Sequence, residues 1–140
     1  MTRLAAALTV SLAATALPLL SLLAGATPPS ADLAAGEQSY AKCMGCHSPD
    51  RNRTGPLHCG LLGRAAGTVP GYDYSSAMRD AGMIWTVSTL DRFLQAPLTM
   101  LPGTSMGFVG LADATERRNL IAWIATLDET SPLCADVIQP

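Results

Sequence analysis

An all-α domain is what the sequence predicts, with short helices and long irregular segments folded around a bound group. Three observations predict it. Apolar residues recur at helical spacing in stretches near 32–47, 86–95 and 113–128, and no stretch alternates apolar and polar residues as a half-buried strand would. Between them, residues 48–71 and 98–112 are rich in proline and glycine and have no sustained period; irregular segments of that length are costly unless they wrap something. Where the first helical stretch runs out stands Cys43-Met44-Gly45-Cys46-His47, a short run whose spacing implies covalent chemistry.

In an exported protein, two thiols three positions apart followed at once by an imidazole form the pattern for attaching one c-type haem. Each thiol adds to a vinyl group, and His47 turns back to bind iron from one face. Two other readings compete. A thioredoxin-like pair wants a strand before the first cysteine and a reactive, low-pKa thiol, whereas the residues before Cys43 read as helix. A four-ligand zinc site needs more donors; His58 and Cys59 would have to supply them, and His-Cys in direct succession is poor clamp spacing. The planar, apolar group of the first reading also gives residues 48–71 something to wrap.

The chain has 140 residues, enough for one small domain. Met1-Thr2-Arg3 precedes an uncharged run from Leu4 to Ala26 that closes on Ala24-Gly25-Ala26, which reads as the basic head, apolar core and Ala-x-Ala site of a secretory signal. Residues 1–26 are therefore expected to be a signal peptide and residues 27–140 the domain. The same run is long enough to cross a bilayer, so an uncleaved membrane tether through residues 4–26 stays open, although Pro18, Ser21 and Gly25 soften it and the cleavage site favours removal.

Nine Lys and Arg face eleven Asp and Glu, a net charge of −2; losing Arg3 with the leader leaves eight (nine less one) against eleven, or −3. Lys42 is the only lysine and no basic run exists, which argues against a nucleic-acid surface. No serine, histidine and acid are arranged for hydrolysis, and no glycine-rich phosphate loop joins a strand to a helix. Of four cysteines, Cys43 and Cys46 are taken by the haem reading, which leaves Cys59 and Cys134 as either a disulfide or two unpaired thiols.

Taken in order, the first helix should start at a cap on Asp32 and run through Leu33, Tyr40 and Cys43 towards His47. Gly36 shares its apolar face and costs helix propensity, so another backbone should pass close there. A short helix is expected from Ser75 or Ser76. The next runs from about Thr86 to Gln95, has Val87, Leu90, Phe93 and Leu94 as its apolar face, and is stopped by Pro97. The last is capped at Asp113 with Glu116 three residues on, and lines up Leu120, Trp123, Ile124 and Leu127 until about Asp128. Asp91 with Arg92, and Glu116 with Arg117 and Arg118, read as ordinary charged helix faces.

In this order the residues resemble the class I cytochrome c family over nearly all of residues 27–140. The resemblance rests on Gly36-Glu37, Tyr40 and Lys42-Cys43-Met44-Gly45-Cys46-His47, then Thr54-Gly55-Pro56 and Gly60-Leu61-Leu62-Gly63-Arg64 with Gly67. Gly71-Tyr72-Asp73-Tyr74-Ser75, Ala77-Met78, Trp85 and Pro102-Gly103-Thr104-Ser105-Met106-Gly107-Phe108 follow. It implies the class I cytochrome c fold, helices and irregular loops wrapped around one covalently attached haem c. Cys43 and Cys46 would carry thioethers, His47 would be the proximal ligand with its other nitrogen bonded to the Pro56 carbonyl, and Met106 would be the distal sulfur ligand. Arg64, Tyr74 and Trp85 would lie near the propionates, and Gly36 and Tyr40 would meet Leu120 and Trp123 where the first and last helices cross. Phe93 stands where the mitochondrial-like branch usually has tyrosine, and Met78 replaces a polar pocket residue. Leu98, Thr99 and Ser105 replace lysines that often ring the haem edge. His58 stands where the family usually has leucine and Cys59 where it has histidine; His58 is either near the haem and held by a hydrogen bond or turned outward, and a role as iron ligand is disfavoured because His47 and Met106 would already fill both axial positions.

The function so implied is single-electron transfer, with both axial positions filled and no site left for a substrate, hence not an enzyme. Partners would be larger redox complexes, a membrane dehydrogenase or cytochrome complex on one side and a terminal oxidase or reaction centre on the other. Docking would use the area around Lys42, Met44, Met100, Ser105, Gly107 and Phe108. In a Gram-negative host the carrier would be periplasmic, or held at the periplasmic face of the inner membrane if the leader stays as an anchor. Two alternatives remain at this point: a haem enzyme or sensor with a displaceable distal ligand, and a membrane-attached subunit of a larger redox complex.

Overall fold

The computed structural model describes residues 30–137, so the predicted leader and tether lie outside the described residues. Five helices follow one another: α1 Leu33–Tyr40, α2 Ser76–Arg79, α3 Val87–Gln95, α4 Pro97–Met100 and α5 Ala114–Ala125. Among the described residues, β-pairing is confined to one antiparallel bridge between Ala65 and Ile84. No helix among them is long and apolar enough to cross a membrane.

The caps explain most of the boundaries. The Asp32 carboxylate accepts from the Ala35 amide, Ser75 accepts from Met78, and Asp113 accepts from Glu116. Thr86 and Thr89 satisfy each other's amides reciprocally at the start of α3. α1 stops at Tyr40, short of the predicted His47. Beyond it the chain tightens into turns closed by Lys42 N–H to Ser39 C=O and Cys43 N–H to Tyr40 C=O, a pattern that does not sustain a long run. Pro97 does end α3, by forcing Ala96 into extended backbone at φ −159°. It also opens α4, a turn placed in a segment predicted to be irregular, because a missing N–H costs nothing at a first helical position.

α1 packs against α5. A Cβ on Gly36 would lie 2.2 Å from the Asn119 carbonyl oxygen and 2.8 Å from the Trp123 Cβ, which is the close backbone the bare sequence asked for. The buried Asn119 side chain also accepts from the Asp32 amide at 3.1 Å. Tyr40, Leu90, Phe93, Leu94, Leu120, Ile121 and Ile124 belong to one core cluster.

Arg117 departs from its expected place on a solvated face. It is 6% exposed, and its guanidinium donates to the Asp91 carboxylate and to the Leu111 and Ala112 carbonyls, tying α5 to α3 and to the segment before α5. The reason is register: positions 117, 120, 121 and 124 share the buried stripe of α5. A second, smaller cluster forms around Cys59, Leu127 and Cys134, with Cys59 and Cys134 joined in a disulfide across 75 positions of sequence.

Candidate functional site

The helices and the 48–71 segment surround a cavity of about 380 Å³, a volume suited to a cofactor-sized group. Leu61, Met78, Trp85, Leu90, Phe93, Leu94 and Ile124 give it largely apolar walls. Cys43, Cys46, His47, Pro56, Arg64, Tyr74, Trp85 and Met106, the eight residues expected to hold a cofactor, all line it. They come from five separate parts of the chain.

Cys43 and Cys46 sit in the turns that continue α1, and neither is bridged. Burial pushes the Cys43 thiol up to about 11, with Lys42 opposing and Cys46 adding to the shift, so the sulfur rests as a thiol. The His47 ring is buried and its Nδ1 lies 2.7 Å from the Pro56 carbonyl. That bond consumes the Nδ1 hydrogen and leaves Nε2 as the nitrogen able to bind a metal. Burial is also the main cause holding the imidazole below its ordinary pKa, the Pro56 bond opposing it. Gly55 is required here, since a Cβ on it would lie 2.3 to 2.6 Å from three atoms of the His47 ring.

Met106 reaches the cavity from the irregular segment between α4 and α5, where its amide donates to the hydroxyl of the buried Thr104 at 3.3 Å. Arg64 donates to the Cys59 and Leu57 carbonyls, which fixes the loop that carries Pro56. Trp85 is buried against Phe93, and Met78 and Phe93 line the wall without contributing a polar group. Trp123 packs on Tyr40 with ring centroids 4.4 Å apart.

A c-type haem fits this set on the chemistry of the donors. Two free thiols, the His47 imidazole with Nε2 uncommitted and the Met106 thioether line one mainly apolar cavity, together with the His58 imidazole and the Met78 thioether, and Gly55 lets the backbone pass close to the His47 ring. No group of three or more His, Cys, Asp or Glu side chains suited to a metal ion occurs among the described residues. That is unfavourable to the zinc reading, and His58 is partnered elsewhere while Cys59 is consumed by its disulfide.

His58 was the residue whose direction the sequence left open. It turns inward and lines the cavity, its Nδ1 lies 3.0 Å from the Tyr40 hydroxyl, and its ring stacks on His47 at 4.3 Å and 23°. Burial above all, then His47 and Arg64 nearby, holds its pKa well below the ordinary histidine range, so the ring is neutral.

The expected docking residues are only partly assembled. Lys42, Ser105, Gly107 and Phe108 line the cavity and Met44 is 54% exposed beside Cys43. Met100 instead packs against the core and faces a separate groove with Arg92 and Thr99. The Lys42 ammonium is 2.5 Å from a Glu116 carboxylate oxygen, so the chain's one lysine is already paired.

A scan against protein-family models finds none that matches. Individual proteins do match. Cytochrome c-type cyt cy of Rhodobacter capsulatus is 45% identical over 98 residues, which cover 69% of this chain and 49% of that protein; the chain thus spans about half the length of that relative. Cytochrome c 2.1 of Caenorhabditis elegans is 42% identical over 99 residues, covering 69% of this chain and 89% of that one. Among solved structures, cytochrome cH from Methylobacterium extorquens superposes with a TM-score of 0.67 at 36% identity, covering 68% of this chain and 98% of that chain.

Proposed function

This chain belongs to the class I cytochrome c family, an electron carrier with one covalently bound haem c and no enzymatic role, and we propose on that premise that His47 and Met106 are the two axial ligands of its iron. The observation that carries the proposal is the convergence of these two donors on one cavity, with His47 Nδ1 already committed to Pro56. The haem supplies a one-electron couple, whose potential a histidine and methionine pair raises relative to two nitrogens. Cys43 and Cys46 hold it covalently. Pro56 orients His47, while Leu61, Leu90, Leu94 and Ile124 keep water from the ring. Arg64, Tyr74 and Trp85 offer donors where the propionates would lie, offsetting the cost of partly buried negative charge.

Ligation is tested by absorption. The oxidised protein should show the sulfur-to-iron charge-transfer band at the red end of the spectrum and no carbon monoxide binding when reduced. Met106→Ala should abolish the band and admit carbon monoxide. A wild-type protein that is high-spin and binds carbon monoxide readily would turn the reading towards a sensor or peroxidase-like protein with a displaceable ligand.

The carrier meets larger redox complexes at the exposed face around Lys42, Met44, Ser105, Gly107 and Phe108, with Met100 to one side. Because Lys42 is paired with Glu116, apolar packing and short hydrogen bonds outweigh long-range steering there. Association rates should therefore change little with salt, and a steep fall would contradict this face. Export by the 1–26 leader completes the proposal, and the N-terminal mass of the mature protein distinguishes cleavage from a retained tether at 4–26.

A further inference from the structure

We propose that His58 is a positioning residue for the proximal ligand, a flat plate that fixes the rotational setting of the His47 ring. The inference rests on the ligation reading above. Pro56 alone does not determine that setting. A single N–H to carbonyl bond fixes the direction in which Nδ1 points, yet acceptance at a carbonyl oxygen is angularly broad, so the ring keeps freedom to rock about that bond. Rocking is opposed by what lies against the faces of the ring.

Gly55 and His58 lie there. A Cβ on Gly55 would be nearly equidistant from Cε1, Nδ1 and Nε2 of His47, which places it over a ring face and not at the edge; the Gly55 backbone therefore closes that approach. The other is the His58 ring, nearly parallel at 23° and 4.3 Å between centroids. Leucine, which the family usually has at this position, would fill the space, but a branched aliphatic end offers no plane to match.

His58 is itself held independently of His47, as a positioning element must be. Its backbone N–H donates to the Pro49 carbonyl at 3.1 Å, and the next residue, Cys59, donates to the same oxygen at 2.8 Å and is bridged to Cys134. The Tyr40 hydroxyl, from the end of α1, meets Nδ1 of the ring at 3.0 Å. The relay Tyr40–His58–His47 thus refers the ligand plane to the α1 end of the helix crossing.

The plane of an axial imidazole sets how unpaired spin spreads over an oxidised porphyrin, so the test is magnetic. The intact holoprotein is compared with His58→Leu, His58→Phe and Tyr40→Phe by proton NMR of the haem methyl resonances and by electron paramagnetic resonance, with the charge-transfer band as a control. Expected is a redistributed methyl pattern and shifted g-values in His58→Leu with the band retained. His58→Phe, which restores a flat ring, should return most of the wild-type pattern, and Tyr40→Phe should shift it partway. Unchanged methyl shifts and g-values in His58→Leu would overturn the proposal, as would equal shifts in the Leu and Phe variants. Should His58→Leu fail to fold, the Tyr40→Phe pattern decides in the same sense, an unshifted one overturning the relay. If the wild type lacks the charge-transfer band, the ligation reading fails first and takes this proposal with it.

Discussion

The two segments that bring His47 and Met106 to the cavity are built differently. The histidine side is over-determined: Pro56 binds the ring, Gly55 and His58 lie against it, Arg64 staples the loop, and a disulfide anchors that loop to the C-terminal tail. The methionine side is light. Met106 sits in irregular backbone, its amide held by the Thr104 hydroxyl, and Thr104 by the Leu101 carbonyl. The lesson is a division of labour in which one proposed ligand is held by many restraints and the other by packing against the core and few hydrogen bonds, so disturbance should enter from the methionine side.

The strongest way to break this asymmetry is to loosen the histidine side. Replacing Cys59 and Cys134 with serine removes a closure across 75 positions of sequence, worth about 4 kcal/mol in the chain-entropy account. Guanidinium unfolding should register that loss while the charge-transfer band of the folded protein persists. Gly55→Ala comes next. Its Cβ would collide with the His47 ring, an overpacking cost of about 1–3 kcal/mol, and the variant should lose thermal stability and shift its magnetic spectra together. A variant as stable as wild type would show the histidine side to be looser than described.

Thr104→Val sharpens the comparison from the other side. Removing the hydroxyl that accepts from Met106 should cost about 1 kcal/mol, read as a roughly fivefold rise in affinity for exogenous imidazole that displaces the methionine. No rise would mean the methionine side is held by something other than Thr104. The smallest effect belongs to neither side. Glu116 is held below its ordinary carboxylate value, chiefly by the hydrogen bond from Lys42. Its folded pKa is depressed, so its contribution is present above the unfolded value near 4.5 and lost as pH falls through the folded one. Glu116→Gln should lower stability by well under about 1 kcal/mol at neutral pH, and the difference in melting temperature should vanish in acid.

Much of this was legible in the chain. The spacing of Cys43, Cys46 and His47 announces its chemistry without reference to a fold, and helix faces and the caps at Asp32 and Asp113 follow from local rules; the caps at Ser75 and Thr86 emerge in the structure. Gly36 could be read as a crossing because a helical glycine costs energy that only close contact repays. Pro97 was read as a stop, which it is, but the same ring geometry starts a helix and local sequence does not say which follows. Arg117 looked like surface because its charge outweighed its register; its spacing from Leu120, Ile121 and Ile124 was the available signal. The stack of His58 on His47 had no local signal at all, since it depends on how a loop closes back on a residue 11 positions earlier.

The sulfur atoms pose a sorting problem during maturation. Cys59 is joined to Cys134, whereas Cys43 and Cys46 are unbridged and have to stay reduced until they meet the vinyl groups. The fold separates the two fates. Cys59 and Cys134 are 2% and 0% exposed, out of reach of an attacking thiolate, whereas Cys46 stands open to solvent and to whatever machinery reduces it. A reductant added to the folded chain would therefore meet Cys46 before it reached the buried bridge.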